Sequence, residues 1–125
     1  MKFKPLLDPQ YTLADYFPID LSIKNSFWDK NDVSDIITFE NYLEEKRSEI
    51  DKFVAHGGYK EQRALYRRSA RFQEGAVRDV HMGIDLWAPA GTTVHAIMDG
   101  KIQSYADNDD AGNYGPTLIL EHEYQ

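Results

Sequence analysis

Hydrophobic residues recur at helical spacing from Thr38 onwards. Apolar side chains appear every three or four positions there, and charged side chains take the opposite face. Thr38 is placed to cap the start of a helix, and the pair Gly57-Gly58 is placed to stop it. The pattern predicts one amphipathic helix over about residues 38 to 55. Packing of its apolar face on the protein's own sheet is favoured over a partner-binding role.

After Arg78 the period of the pattern becomes two, which predicts a strand with one buried face. The predicted buried set is Val80, Met82, Ile84 and Leu86. His81 and Asp85 share the other face and flank Gly83. Four residues of straight strand span about 13 Å, whereas zinc ligands lie about 2.0 to 2.2 Å from the metal. A shared metal therefore requires a bend, which Gly83 can supply because it lacks a Cβ atom.

The rest of the C-terminal half also alternates like β-structure. Segments 92–97 and 101–105 flank Asp99-Gly100, a dipeptide suited to a two-residue hairpin turn. A polar loop follows over residues 107–116, and a last strand over residues 117–124. In roughly the first 30 residues, the density of Pro, Asp and aromatic residues predicts loops and short turns held by aromatic anchors. The expected fold class is α+β: an N-terminal loop and helical segment over residues 1–56, then an antiparallel β module over residues 57–125.

Composition narrows the classes of function. A chain of 125 residues is one domain by length, and its net charge of −7 makes nucleic acid a poor partner. No apolar stretch approaches the roughly 20 residues of a membrane helix. Pro5, Asp8 and Pro9 interrupt the region where a signal peptide would be apolar, and there is no cysteine. We therefore expect no membrane partner, a cytoplasmic location and metal ligands drawn from His, Asp and Glu.

Basic residues gather upstream of the histidine segment. Arg63, Arg67 and Arg71 form a stripe at i, i+4 and i+8 if that segment is helical throughout. The stripe could hold an anionic substrate group or a carboxylate, but a solvated face opposite the acidic helix is favoured. Arg67 and Arg78 are kept as candidates for contacts with substrate or with a carboxylate.

The stretch HMGIDLWAPAGTTVHAIMDGKI, followed by NYGPTLILEHE, resembles the lysostaphin/LytM-type zinc metallopeptidases. Their pattern reads His-x-Gly-x-Asp, then Gly-Thr-x-Val-x-Ala-x-x-Asp-Gly-x-Val, then a glycine loop and an apolar strand. The match covers about 45 residues and agrees in order and spacing. The resemblance implies an antiparallel β fold, a peptide or peptidoglycan-like substrate, and His81 and Asp85 as the first two zinc ligands.

In that family a later His-x-His supplies the third ligand and a catalytic histidine, and a Tyr-x-His-like segment supplies another. Neither segment occurs in this chain. His122 matches a frequent position at the end of the family's strand that is not a ligand by the pattern, while His56 and His95 match no motif. We therefore expect a truncated, inactive form that binds zinc weakly, and a homodimer formed through the exposed edge of the last strand.

Two other functions share parts of the pattern. Glucose-type phosphocarrier domains contain a similar His-x-Gly-Ile-Asp segment whose histidine is phosphorylated, which would give His81 that role. There the Asp-Gly hairpin precedes the histidine segment, whereas here it follows, so the order favours the peptidase. A non-catalytic binding or scaffold module descended from the peptidase fits the missing histidines.

Overall fold

The computed structural model describes residues 2–65 and 79–124. Within them the fold is mixed α/β, with few helices and several antiparallel strands in small sheets. The elements are, in chain order, a 3-10 helix Leu13–Asp15, β1 (Tyr16–Ile19), α1 (Phe27–Lys30), α2 (Ile36–Ile50), β2 (Val54–Gly57), β3 (Glu61–Gln62), β4 (Val80–His81), β5 (Asp85–Trp87), β6 (Lys101–Asn108) and β7 (Gly115–Glu121). This agrees with the mixed class expected, while the finer assignment to the LytM fold stays a prediction.

The chain divides into two compact units. The central unit is Gln10–Gly91, and the terminal unit joins Met1–Pro9 to Thr92–Gln125. The central unit contains the helices and β1 to β5, and the terminal unit contains β6 and β7.

The N-cap of helix α2 lies three residues before the cap expected from the sequence. Asp35 is the N-cap, and its carboxylate accepts a hydrogen bond from the backbone N–H of Thr38 at 2.9 Å. Thr38 therefore lies inside the first turn. An aspartate at the N-cap satisfies one of the unpaired N–H groups of the first turn, which explains the earlier start.

Helix α2 also ends earlier than predicted. Asp51 adopts a left-handed conformation with φ of 50°, and its N–H donates to the Arg47 carbonyl at 2.9 Å. Gly57 and Gly58 do not stop the helix, because Val54–Gly57 is already strand β2. Val54 is fully buried there. The helical spacing of apolar residues continues by coincidence into β2, and the predicted helix was therefore too long.

The central sheet has the order β1-β2-β5. β1 and β2 are parallel and are separated in sequence by α2, while β2 and β5 are antiparallel. The core includes the buried side chains of Phe17, Trp28, Tyr42 and Leu43, so the expected aromatic anchors are present. No helix among the described residues is long and apolar enough to cross a membrane.

The predicted apolar face of residues 80–86 is wrong. Val80, Met82 and Ile84 are 45%, 60% and 68% exposed, and Leu86 is half-buried. The side chain of His81, on the face predicted to be polar, is only 14% exposed. The reason is that the strand is interrupted between β4 and β5, so Met82 and Ile84 leave the ladder and strict alternation is lost.

The predicted hairpin at Asp99-Gly100 is wrong, because the hairpin of the terminal unit forms elsewhere. β6 pairs antiparallel with β7 around residues 109–114, which lie inside the predicted polar loop. Segment 92–97 instead contacts the N-terminus, through a bridge between Leu7 and Val94 and a 2.7 Å hydrogen bond from the His95 N–H to the Leu6 carbonyl. A Cβ atom at Gly100 would collide with the His122 ring and the Glu121 carbonyl. Gly100 therefore permits close approach of backbone and ring rather than a tight turn.

Candidate functional site

His81 and Asp85 are brought together in the central unit, as the HMGID segment predicted. The Nε2 atom of His81 lies 3.5 Å from Oδ2 of Asp85. The two side chains are 14% and 37% exposed, so the pair is partly shielded and still open to a solute.

The pairing of the neighbouring strands explains this approach. Gly57 of β2 lies opposite Asp85, and Glu61 of β3 lies opposite His81, so the two short ladders keep one antiparallel register. Both strands are interrupted at the same level, over residues 58–60 and 82–84. Lys60 has φ of +57° there, and the chain bends at Gly83. The predicted bend is thus present, and the partner strand bends with it.

Two glycines shape the surroundings of the imidazole. The Nδ1 atom of His81 is 3.4 Å from the Gly58 carbonyl, so the tautomer protonated at Nδ1 can donate to that carbonyl and keep its lone pair on Nε2. A Cβ atom added at Gly83 would lie 3.2 Å from Nε2. Glycine at position 83 therefore keeps the space beside this nitrogen free.

Arg63 completes the cluster by binding carboxylates, which is the less favoured of the two roles that its sequence position suggested. Its side chain is only 5% exposed; Nε donates to Oε1 of Glu61 at 3.0 Å, and Nη1 donates to Oδ2 of Asp85. The favoured interpretation of Arg63 as part of a solvated stripe is wrong, because it is buried between two carboxylates. Its position beside Asp85 depends on strand pairing, since 22 residues separate the two in sequence.

The atoms of His81 and Asp85 fit two ligands of one zinc ion. Tetrahedral zinc with bonds of about 2.0 to 2.2 Å places neighbouring ligand atoms about 3.4 Å apart. The observed separation is 3.5 Å. Among residues 2–65 and 79–124, no group of three or more His, Cys, Asp or Glu side chains is placed to hold a metal ion. The described part of the chain therefore offers two ligands without a third.

The sequence also predicted Arg67, Arg78 and His122 as candidate site residues. Arg67 and Arg78 lie outside the described residues. His122 belongs to the terminal unit, where its Nδ1 lies 3.0 Å from the Asp99 carbonyl. This contact and its packing on Gly100 give His122 a structural role within the hairpin.

A cavity of about 440 Å³ adjoins the cluster within the central unit. Arg63 and Asp85 contribute its polar lining, and Leu21, Phe39 and Trp87 are among its apolar walls. Apolar walls with a few converging polar groups are typical of sites for small ligands or side chains.

Comparison with protein-family models, curated proteins and solved structures finds no match for the chain.

Proposed function

We propose that this chain carries the first part of a lysostaphin/LytM-type zinc metalloendopeptidase site, with His81 and Asp85 as zinc ligands. The observation that carries the proposal is the 3.5 Å separation of Nε2 and Oδ2 across a bend at Gly83. The tautomer that can donate to the Gly58 carbonyl also supports it, because it leaves Nε2 free to bind a metal.

The arrangement supports metal binding but not peptide hydrolysis. A catalytic zinc site uses three protein ligands and a water, and the metal lowers the pKa of that water. His81 and Asp85 would hold the ion, while the sequence contains no His-x-His to supply a third ligand and a catalytic histidine. We propose that the chain binds zinc weakly and does not cleave a peptide or peptidoglycan-like substrate by itself.

Zinc titration by isothermal calorimetry tests the proposal. Wild type should bind zinc weakly, and His81→Ala and Asp85→Asn should each abolish detectable binding. His95→Ala is the matched control, since His95 belongs to the terminal unit, and it should bind as wild type does. Wild-type affinity in both His81→Ala and Asp85→Asn would refute the proposal.

The cavity beside Asp85 favours a second function, a non-catalytic binding module that descends from such a peptidase. Its volume of about 440 Å³ suits one apolar side chain or a small ligand. Under this alternative, peptide binding should persist in His81→Ala and in the presence of a chelator. A phosphocarrier role for His81 is disfavoured, because the Asp85 carboxylate 3.5 Å from Nε2 would repel a phosphoryl group.

A further inference from the structure

Arg63 is a buried cation directly beside the carboxylate of Asp85. Two carboxylates face its guanidinium: Glu61 accepts from Nε at 3.0 Å, and Asp85 accepts from Nη1. A buried charge is costly unless it is paired and hydrogen-bonded. The cost of separating these buried charges therefore favours one arrangement of the three side chains.

The backbone also fixes Arg63 in place. Its backbone N–H donates to the Asp79 carbonyl at 2.8 Å, and residue 63 pairs with Ser22 in an isolated antiparallel β-bridge. A Cβ atom at Gly57 would lie 2.5 Å from Nη2 and 3.2 Å from the Trp87 ring. The guanidinium thus lies in a space that exists because residue 57 has no side chain.

We infer that Arg63 is a positioning residue that orients the Asp85 carboxylate towards a divalent metal shared with His81. This inference rests on the proposed zinc site. Oδ2 accepts from Arg63 and also lies 3.5 Å from Nε2 of His81, so the hydrogen bond fixes the oxygen that a metal would use. Hydrogen-bond partners of metal ligands typically change metal affinity by about 10- to 100-fold when removed.

The positive charge of Arg63 acts in the opposite direction, because it repels a cation. Glu61 offsets that charge, since its carboxylate bonds Nε and its side chain is only 14% exposed. The two carboxylates and one guanidinium together leave a net negative cluster next to His81. Orientation of Asp85 should therefore outweigh repulsion by Arg63.

The test is the zinc affinity of Arg63→Lys, measured by calorimetry, with folding checked by circular dichroism. Lysine keeps the charge but has one nitrogen, so it cannot hold Glu61 and Asp85 in the same fork. We expect about 10- to 100-fold weaker zinc binding. Arg47→Lys on α2 is the charge-matched control and should bind zinc as wild type does.

A second variant tests the inference if Arg63→Lys does not fold. Glu61→Gln combined with Arg63→Met removes both buried charges and leaves Asp85 unsupported, so it should also weaken zinc binding. The visible spectrum of the cobalt form gives an independent readout, because loss of a carboxylate ligand changes its band positions. Wild-type or tighter zinc binding and an unchanged cobalt spectrum in a folded variant would overturn the inference.

The two hypotheses fail in different ways. Zinc binding that does not depend on His81 or Asp85 in the wild-type background refutes the proposed site, and the role of Arg63 with it. Binding that depends on both residues but is unchanged in the Arg63 variants refutes only the positioning role.

Discussion

The His81 imidazole lies between two glycines that act on it differently. Gly58 presents its carbonyl to Nδ1 at 3.4 Å, and Gly83 leaves the space beside Nε2 open. Gly58 thus offers a hydrogen-bond acceptor to Nδ1, and Gly83 permits access to Nε2. Both effects lie within the interruption shared by the paired strands.

Gly83→Ala should weaken zinc binding by about tenfold or more, in line with the loss of a group that orients a ligand. The reason is steric, since the added Cβ would lie 3.2 Å from Nε2 of His81. The free energy of unfolding should change by no more than about 0.5 kcal/mol, because residue 83 is exposed. Calorimetric titration with zinc and urea denaturation measure the two quantities.

Gly58→Ala is the matched control for this variant. Its added Cβ would meet nothing closer than 3.5 Å, so the zinc affinity should stay near that of wild type. Equal zinc affinities of Gly83→Ala and wild type would contradict the proposed metal position at Nε2.

Local sequence was enough to identify His81, Asp85 and the bend at Gly83, because all three lie within five residues. The favoured interpretation of Arg63, a solvated position, was wrong for a physical reason. Its spacing with Arg67 and Arg71 suggested a helical stripe, whereas its burial depends on strands far apart in sequence that pair across the fold. Pairing of that kind leaves no short-range signal.

Helix α2 depends on a charged cap at its N-terminus. The Asp35 carboxylate accepts from the Thr38 hydroxyl at 2.6 Å and from its backbone N–H at 2.9 Å. These hydrogen bonds lower the pKa of Asp35 below its ordinary value of 3.8, with the hydroxyl contributing most. The folded state therefore favours the ionised carboxylate.

This lowered pKa predicts an acid-dependent loss of stability. The contribution of Asp35 is fully present above pH 3.8, its ordinary pKa, and is lost as the pH falls through the lower folded pKa. Asp35→Asn keeps a capping side chain without the charge. Urea denaturation followed by circular dichroism, from about pH 6 to about pH 2.5, should show wild type losing its advantage over this variant in the acid range. A pH-independent difference would contradict the prediction.

At the level of the helices and strands, the spacing of apolar residues did not predict where each element ends. Spacing predicted helix α2, but Phe53 and Val54 continued the same spacing into the following coil and β2. Asp99-Gly100 suggested a hairpin, yet the glycine is needed for close packing against His122. The same local sequence pattern is compatible with more than one structure, and tertiary packing determines which one forms.

At the scale of the whole molecule, the mixed fold class could be predicted and the strand partners could not. β1 and most of β2 lie in residues 1–56, where only loops and a helix were expected, and they pair in parallel with α2 between them in sequence. Parallel neighbours need a long connection, which here contains the helix that the sequence did predict. Register and sheet order depend on such long-range contacts.

The terminal unit has apolar side chains exposed on both faces of its hairpin. Ile102, Tyr105, Leu118 and Ile119 are all at least half exposed. Among the described residues β7 pairs only with β6, so its second edge has no described strand partner. A free edge with apolar side chains promotes pairing between chains.

We therefore predict association that increases with protein concentration, through the edge of β7. Leu118→Lys should reduce it, because lysine on an edge strand disfavours pairing with another chain. Ser48→Lys on α2 is the control with the same added charge outside the hairpin and should associate as wild type does. Multi-angle light scattering over a concentration series measures this, and a wild-type protein that stays monomeric throughout would contradict the prediction.

The central claim is that Nε2 of His81, with Asp85, binds zinc while Nδ1 stays protonated. Long-range nitrogen–proton correlation spectra of the histidine rings during a zinc titration test it most directly. We expect the Nε2 resonance of His81 to shift on zinc addition, Nδ1 to keep its proton, and the resonances of His95 and His122 to stay unchanged. Zinc shifts confined to His95 or His122, or coordination of His81 through Nδ1, would contradict it.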